Sequence, residues 1–164
     1  MVRPRARPRR FGKSLLCNTL RAYFEGKKHL FEGLKIYDLE KDWIKYPMIY
    51  LDFVSGDYTV GSIMLLTKIS IALQKYEDDN GIQFDENIIK ERIEALDEKI
   101  KTDPMKVESY SLSLRLEYDL EAVFNKTGLK TVLIVDEYDN PLIKSVNLEN
   151  DKDIYRGFFS VLKS

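Results

Sequence analysis

Two short stretches carry residue types that could do chemistry together. Residues 12–14 read Gly-Lys-Ser, the closing letters of a phosphate-binding loop of pattern G-x-x-x-x-G-K-[ST]. The opening glycine of that pattern would fall at position 7, which is Arg7. A Gly-Lys-Ser that opens a helix presents unpaired backbone N–H groups and the positive end of the helix dipole, both of which favour phosphate oxygens. Lys13 would reach the β- and γ-phosphates of a nucleoside triphosphate such as ATP, and Ser14 would give its hydroxyl to Mg2+. Arg9, Arg10 and Phe11 lead into this tripeptide and Leu15 follows it; the two arginines add positive charge beside it.

The second stretch is Val132-Leu-Ile-Val-Asp136-Glu137, four apolar residues and then two acids. In a phosphate-loop NTPase the strand beside the loop ends in an acid that holds Mg2+, so Asp136 is the candidate metal residue. Glu137 could orient and deprotonate an attacking water. The bland alternative is two polar residues that end a strand. Asp139 is either a loop acid or a partner of the first two, and Asp52 reads as a strand-end acid capping the segment after it. His29, the sole histidine, lies in a lysine-rich turn and reads as solvated surface. Cys17, the sole cysteine, reads as a small core residue on the first helix, and Trp43 as a residue packed on the sheet. One cysteine and one histidine make no zinc site of the usual kind.

Composition narrows the class. The chain has 164 residues, 44% hydrophobic and 32% charged, which fits one folded domain and not a disordered segment. No apolar run approaches the roughly 18–20 residues of a membrane span. A single cysteine gives no internal disulfide, and the basic N-terminus leads into no secretory core, so a cytoplasmic location with no membrane partner is expected. Net charge is −1, yet six of the 26 basic residues fall in the first 13 positions, and the remaining 20 face 27 acids. Residues 1–6 read as a basic tail. An acidic body with a basic head differs from a general nucleic-acid binder, whose charge covers a face, although the arginine head leaves a nucleic-acid-binding or interaction module as the alternative function.

The elements that must position these residues follow from periodicity. Residues 13–25 predict a helix closed by Gly26, and the stretch to Trp43 a short helix and a polar loop. A buried strand is expected over Met48–Phe53, and a helix over residues 59–76. A third, surface helix is expected to run unbroken from near Asp85 to Ile100, and a fourth over residues 111–127, ending at Gly128. A second strand, buried on both faces, covers residues 132–136, and a last helix Asp153–Leu162. Whole helices between the strands exclude a hairpin, so the class is α/β with a parallel sheet flanked by helices.

RPRRFGKSLL, LFEGLKIY, YPMIYLDF and TVLIVDEYDNPL together resemble the AAA-ATPase-like family of bacterial proteins, over nearly the whole chain. An arginine-containing loop in place of a glycine-first one is a distinguishing feature of that family. The resemblance implies one P-loop domain of AAA type spanning residues 1–164, with residues 7–14 as the phosphate loop and 132–139 as the Walker B-like strand end. It implies ATP and Mg2+ as ligands and ATPase activity, with Gly12, Lys13 and Ser14 in the loop, Asp136 on the metal and Glu137 as the catalytic acid. It also implies a homo-oligomer, and a nucleic-acid partner through a downstream PD-(D/E)XK nuclease-like domain. Family members have an apolar strand leading into the loop; Met1–Ala6 has none, so the expectation is a fold incomplete at both ends, a fragment of a larger protein.

Overall fold

The structure, a computed structural model, describes residues 12–163. In chain order it contains α1 (Lys13–Phe24), α2 (Lys35–Leu39), β1 (Met48–Asp52), α3 (Ser62–Asn80), α4 (Glu86–Glu94) and α5 (Glu98–Lys101). There follow α6 (Pro104–Thr127), β2 (Val132–Asp136), α7 (Asn140–Ile143) and α8 (Leu148–Ser160). Short 3-10 turns occupy Lys28–Phe31, Tyr58–Val60 and Val161–Lys163.

β1 and β2 pair in parallel, with Met48 opposite Val132 and Asp52 opposite Asp136. The expected class is therefore met: a helix-rich chain around a small parallel sheet. Alternation along β1 sends Ile49 and Leu51 to one face, where with Phe53 they join a core built by Leu65, Ile69 and Leu73 of α3, Leu112, Leu116 and Val123 of α6, and Ile154 and Phe158 of α8. Each such side chain, fully buried, contributes roughly 1.5–3 kcal/mol. The opposite face carries Tyr50 and Ile134 and meets α1, whose Arg21 guanidinium sits 5.0 Å from the centre of the Tyr50 ring. The sheet thus lies between α1 and the α3–α6–α8 layer.

Polar contacts lock the far layer. Arg115 on α6 grips Glu77 on α3 with two hydrogen bonds, Nε to Oε1 at 2.5 Å and Nη2 to Oε2 at 2.6 Å. Ser62, at the start of α3, donates to the buried Asp151 on α8 and accepts from Asn150 Nδ2 at 2.7 Å.

Several expectations need correction. The third helix is broken at Ala95–Asp97, because Asp97 accepts from the Lys99 N–H and starts a new helix there. α6 begins seven residues before the expected start, at an Asp103-Pro104 cap in which Asp103 accepts from the N–H groups of Met105 and Lys106. α8 begins at Leu148, capped by Asn147, and α7 was not foreseen. β2 is not buried throughout: Val132, Leu133 and Val135 are half-buried, since among the described residues β1 covers only one of its edges. Trp43 does not pack on the sheet; it lies against Tyr23 and Phe31, ring centres 5.7 and 5.1 Å away.

Candidate nucleotide and metal site

The site is built from two backbone features. Gly12 precedes α1 with φ +72°, a left-handed turn that costs a side-chain-bearing residue roughly 1–2 kcal/mol. Among the described residues an added Cβ at Gly12 would meet nothing within 4 Å, so it is the backbone conformation that favours glycine there. Among the described residues no side chain caps the start of α1 and no acid occupies its first turn, so its N–H groups and the positive end of its dipole face no negative side chain there. Lys13 is half-buried there, and Ser14 and Leu15 are exposed. Arg9, Arg10 and Phe11, and with them most of the expected 7–14 loop and the basic tail, lie outside the described residues.

The second feature is the end of β2. Asp136 is 4% exposed, and Glu137 after it takes φ +51°, a left-handed conformation that a non-glycine residue adopts only where its surroundings hold it. The two features meet through Cys17. Three residues beyond Ser14 on α1, which packs on β2, Cys17 lies beside the Asp136 carboxylate; burial first, and then the charge of Asp136, hold the thiol above its ordinary range. Cys17 is accordingly half-buried against Asp136 and is not the core residue that was expected. The phenol of Tyr50, flanked by the same acids, is also pushed up, by burial and then by Asp136 and Asp52.

Asp52 ends β1 and caps the segment after it, as expected, its Oδ1 accepting from the Val54 N–H at 2.8 Å. Its position opposite Asp136 was not foreseen. Asp139 is half-buried and caps nothing with its side chain. His29 is exposed, as expected. Sequence reasoning passed over Asn140, whose Nδ2 donates to the carbonyls of Phe53 at 2.6 Å and Val54 at 3.3 Å. The Asn-Pro pair at 140–141 was the only available signal of a turn there.

The donor set suits a nucleotide with its metal. A helix start without an acid, a serine hydroxyl in its first turn and a buried carboxylate beside the same helix are what phosphate and Mg2+ require. Among the described residues no group of three or more His, Cys, Asp or Glu side chains could hold a metal unaided, so a cation here would need phosphate oxygens or water as further ligands. The cleft of about 530 Å3 beside α3 and α6, lined by Gln74, Glu77 and Arg115, lies away from this end of the sheet.

The model of the predicted AAA-ATPase family matches residues 5–164. The chain belongs to that family. It is also similar to a protein of Azotobacter chroococcum mcd 1 described as an uncharacterized protein in the vnfD 5′ region, with 24% identity over 171 residues. This match covers 96% of the chain and 27% of the relative, so the AAA-ATPase-like chain spans about a quarter of that protein's length. No solved structure matches it. Among the described residues of this family member, no helix is long and apolar enough to cross a membrane.

Proposed function

We propose that this chain is the ATP-binding unit of an AAA-type P-loop ATPase and takes ATP with Mg2+ at the junction of α1 and β2. The observation that carries the reading is the packing of α1 on β2, which sets the helix opened by Gly12-Lys13-Ser14 beside the strand that ends in Asp136. In this reading the N–H groups at the start of α1 hold phosphate oxygens, and Lys13 neutralises the β- and γ-phosphates. Ser14 and Asp136 hold Mg2+, which supplies charge neutralisation on the phosphates when bound. Glu137 aligns the attacking water and takes its proton. Arg9, Arg10 and Phe11 flank the triphosphate from the preceding loop. Assembly into a homo-oligomer, and action on nucleic acid through a nuclease-like domain, belong to the same proposal for the whole protein.

The test is equilibrium binding of ATP with and without Mg2+. Wild type should bind more tightly with Mg2+; Lys13→Ala should lose binding about tenfold or more, equivalent to 1.4 kcal/mol; Asp136→Asn should lose the Mg2+ increment alone. Glu137→Gln should bind normally and fail to turn over. Equally weak binding by wild type and Lys13→Ala would end the nucleotide reading. In that case, steeply salt-dependent DNA binding that disappears on removing residues 1–10 would support an arginine-headed interaction module.

A further inference from the structure

We propose that Asn140 is the positioning residue of this site: its carboxamide fastens the end of β1 to the turn that carries Asp136 and Glu137. The chain leaves both strands at this point. Beyond Asp52 the ladder is continued by one bond, from the Phe53 N–H to the Asp136 carbonyl at 3.1 Å. The carbonyls of Phe53 and Val54 then point past the end of the sheet, and the Phe53 side chain is fully buried. A carbonyl in such a place needs a donor. Asn140 supplies both N–H bonds of its amide, at 2.6 and 3.3 Å, and Tyr58 Oη adds a longer one to Phe53 at 3.3 Å. Two carbonyl acceptors on one side fix which end of the amide faces them.

The other end of Asn140 is tied to the acidic turn. Its backbone N–H donates to the Glu137 carbonyl at 2.9 Å, closing the tight turn in which Glu137 is held at φ +51°. A third fastening comes from α8, where Tyr155 Oη donates to the Tyr138 carbonyl at 2.9 Å while its ring packs on Phe53. Asn140 therefore bonds backward to Glu137 through its main chain and sideways to β1 through its side chain. Without the side-chain bonds, the turn keeps its own hydrogen bond and Phe53 its bond to the Asp136 carbonyl, but residues 137–140 lose their direct side-chain tie to the end of β1. Asp136 stays in the ladder opposite Asp52, and the placement of Glu137 relative to the helix that faces it is then less tightly held.

The inference rests on the nucleotide reading for its functional half only, and the experiment separates the two. Amide hydrogen exchange is followed in wild type, Asn140→Ala and Asn140→Asp, together with binding of a non-hydrolysable ATP analogue with and without Mg2+. In Asn140→Ala the Phe53 amide should exchange about two- to tenfold faster, the size of one lost hydrogen bond, while those of α3 and α6 keep their protection. Asn140→Asp should be worse, because it sets a carboxylate against two carbonyls, an ordering that lost packing alone would not give. The Mg2+-dependent tightening should shrink in both variants and more in Asn140→Asp, with Mg2+-free binding unchanged. Unchanged Phe53 exchange, or equal acceleration across all helices, overturns the brace. Faster Phe53 exchange with an undiminished Mg2+ increment overturns its role at the site. Failure of wild type to bind nucleotide overturns the nucleotide reading and the role at the site built on it, and the exchange data alone then decide the brace.

Discussion

Asp52 and Asp136 stand directly opposite each other at the carboxyl ends of two adjacent parallel strands. Neighbouring strands lie about 4.8 Å apart, so two like charges meet at the end of the sheet with one of them buried and the other exposed. Asn at position 52 keeps the oxygen that accepts from the Val54 N–H and removes the charge. Asp52→Asn should therefore stabilise the nucleotide-free chain by roughly 0.2–1 kcal/mol, the cost of like charges placed opposite each other in a sheet. Urea unfolding at low and high salt checks this. The gain should shrink as salt screens the pair, and a gain indifferent to salt would assign it to something other than repulsion.

Asp119 sets the pH dependence of stability. It is fully buried on α6, its oxygens meet no donor, and the Glu77 carboxylate lies beside it. Burial first, and then Glu77, push its carboxyl up to about 8 from 3.8, against the opposing pull of Arg115. Held neutral, it can itself donate to Glu77. Tyr76, held up to about 12 chiefly by its own burial, and Arg115 also sense Asp119. The folded chain keeps a proton that the unfolded chain releases near 3.8, so stability falls as pH rises from about 4 to about 8 and levels off above. Asp119→Asn removes this slope. Its advantage over wild type should grow between pH 5 and 8 in urea titrations; a constant difference would show that Asp119 is ionised in the fold.

Arg115 carries the opposite risk. Its guanidinium holds the Glu77 carboxylate with two hydrogen bonds, and its side chain is 16% exposed. Removing one partner of such a pair strands the other, a cost of about 3–5 kcal/mol in buried pairs. Arg115→Ala should approach that figure in denaturant unfolding. The double change Arg115→Met with Glu77→Gln should recover much of it, and additive losses would show that the pair is not coupled.

The sheet was legible because the runs Met48-Ile-Tyr-Leu and Val132-Leu-Ile-Val are apolar and whole helices separate them, which leaves only a parallel pairing. The charges of residues 86–100 continue at helical spacing, so nothing periodic marks the break that Asp97 makes by capping; Asp103-Pro104 was a readable start that periodicity outweighed. The Gly12 turn and the acid at 136 were legible as motifs. The opposition of Asp52 to Asp136 is a matter of register between distant strands, and Asn140 acts on carbonyls of another strand, so neither leaves a local pattern.

Gly12 and Gly26 flank α1 and share a left-handed backbone, φ +72° and +69°, yet they should respond differently to alanine. At Gly12 a Cβ meets none of the described residues within 4 Å, and the backbone cost of roughly 1–2 kcal/mol applies. At Gly26 it would meet the Trp43 carbonyl at 2.7 Å, a backbone atom that cannot swing aside. Residues 43–45 would have to move off the end of α1, where the Tyr46 N–H bonds the Phe24 carbonyl and Trp43 packs on Tyr23 and Phe31. Gly26→Ala should then cost about 2–4 kcal/mol, strain added to the backbone term. Trp43 is the sole tryptophan, so its emission reports the same event directly. It should shift to the red in Gly26→Ala and stay fixed in Gly12→Ala, while nucleotide binding shows the reverse sensitivity. Equal losses of stability at the two glycines would mean that the Trp43 segment yields freely and does not anchor α1.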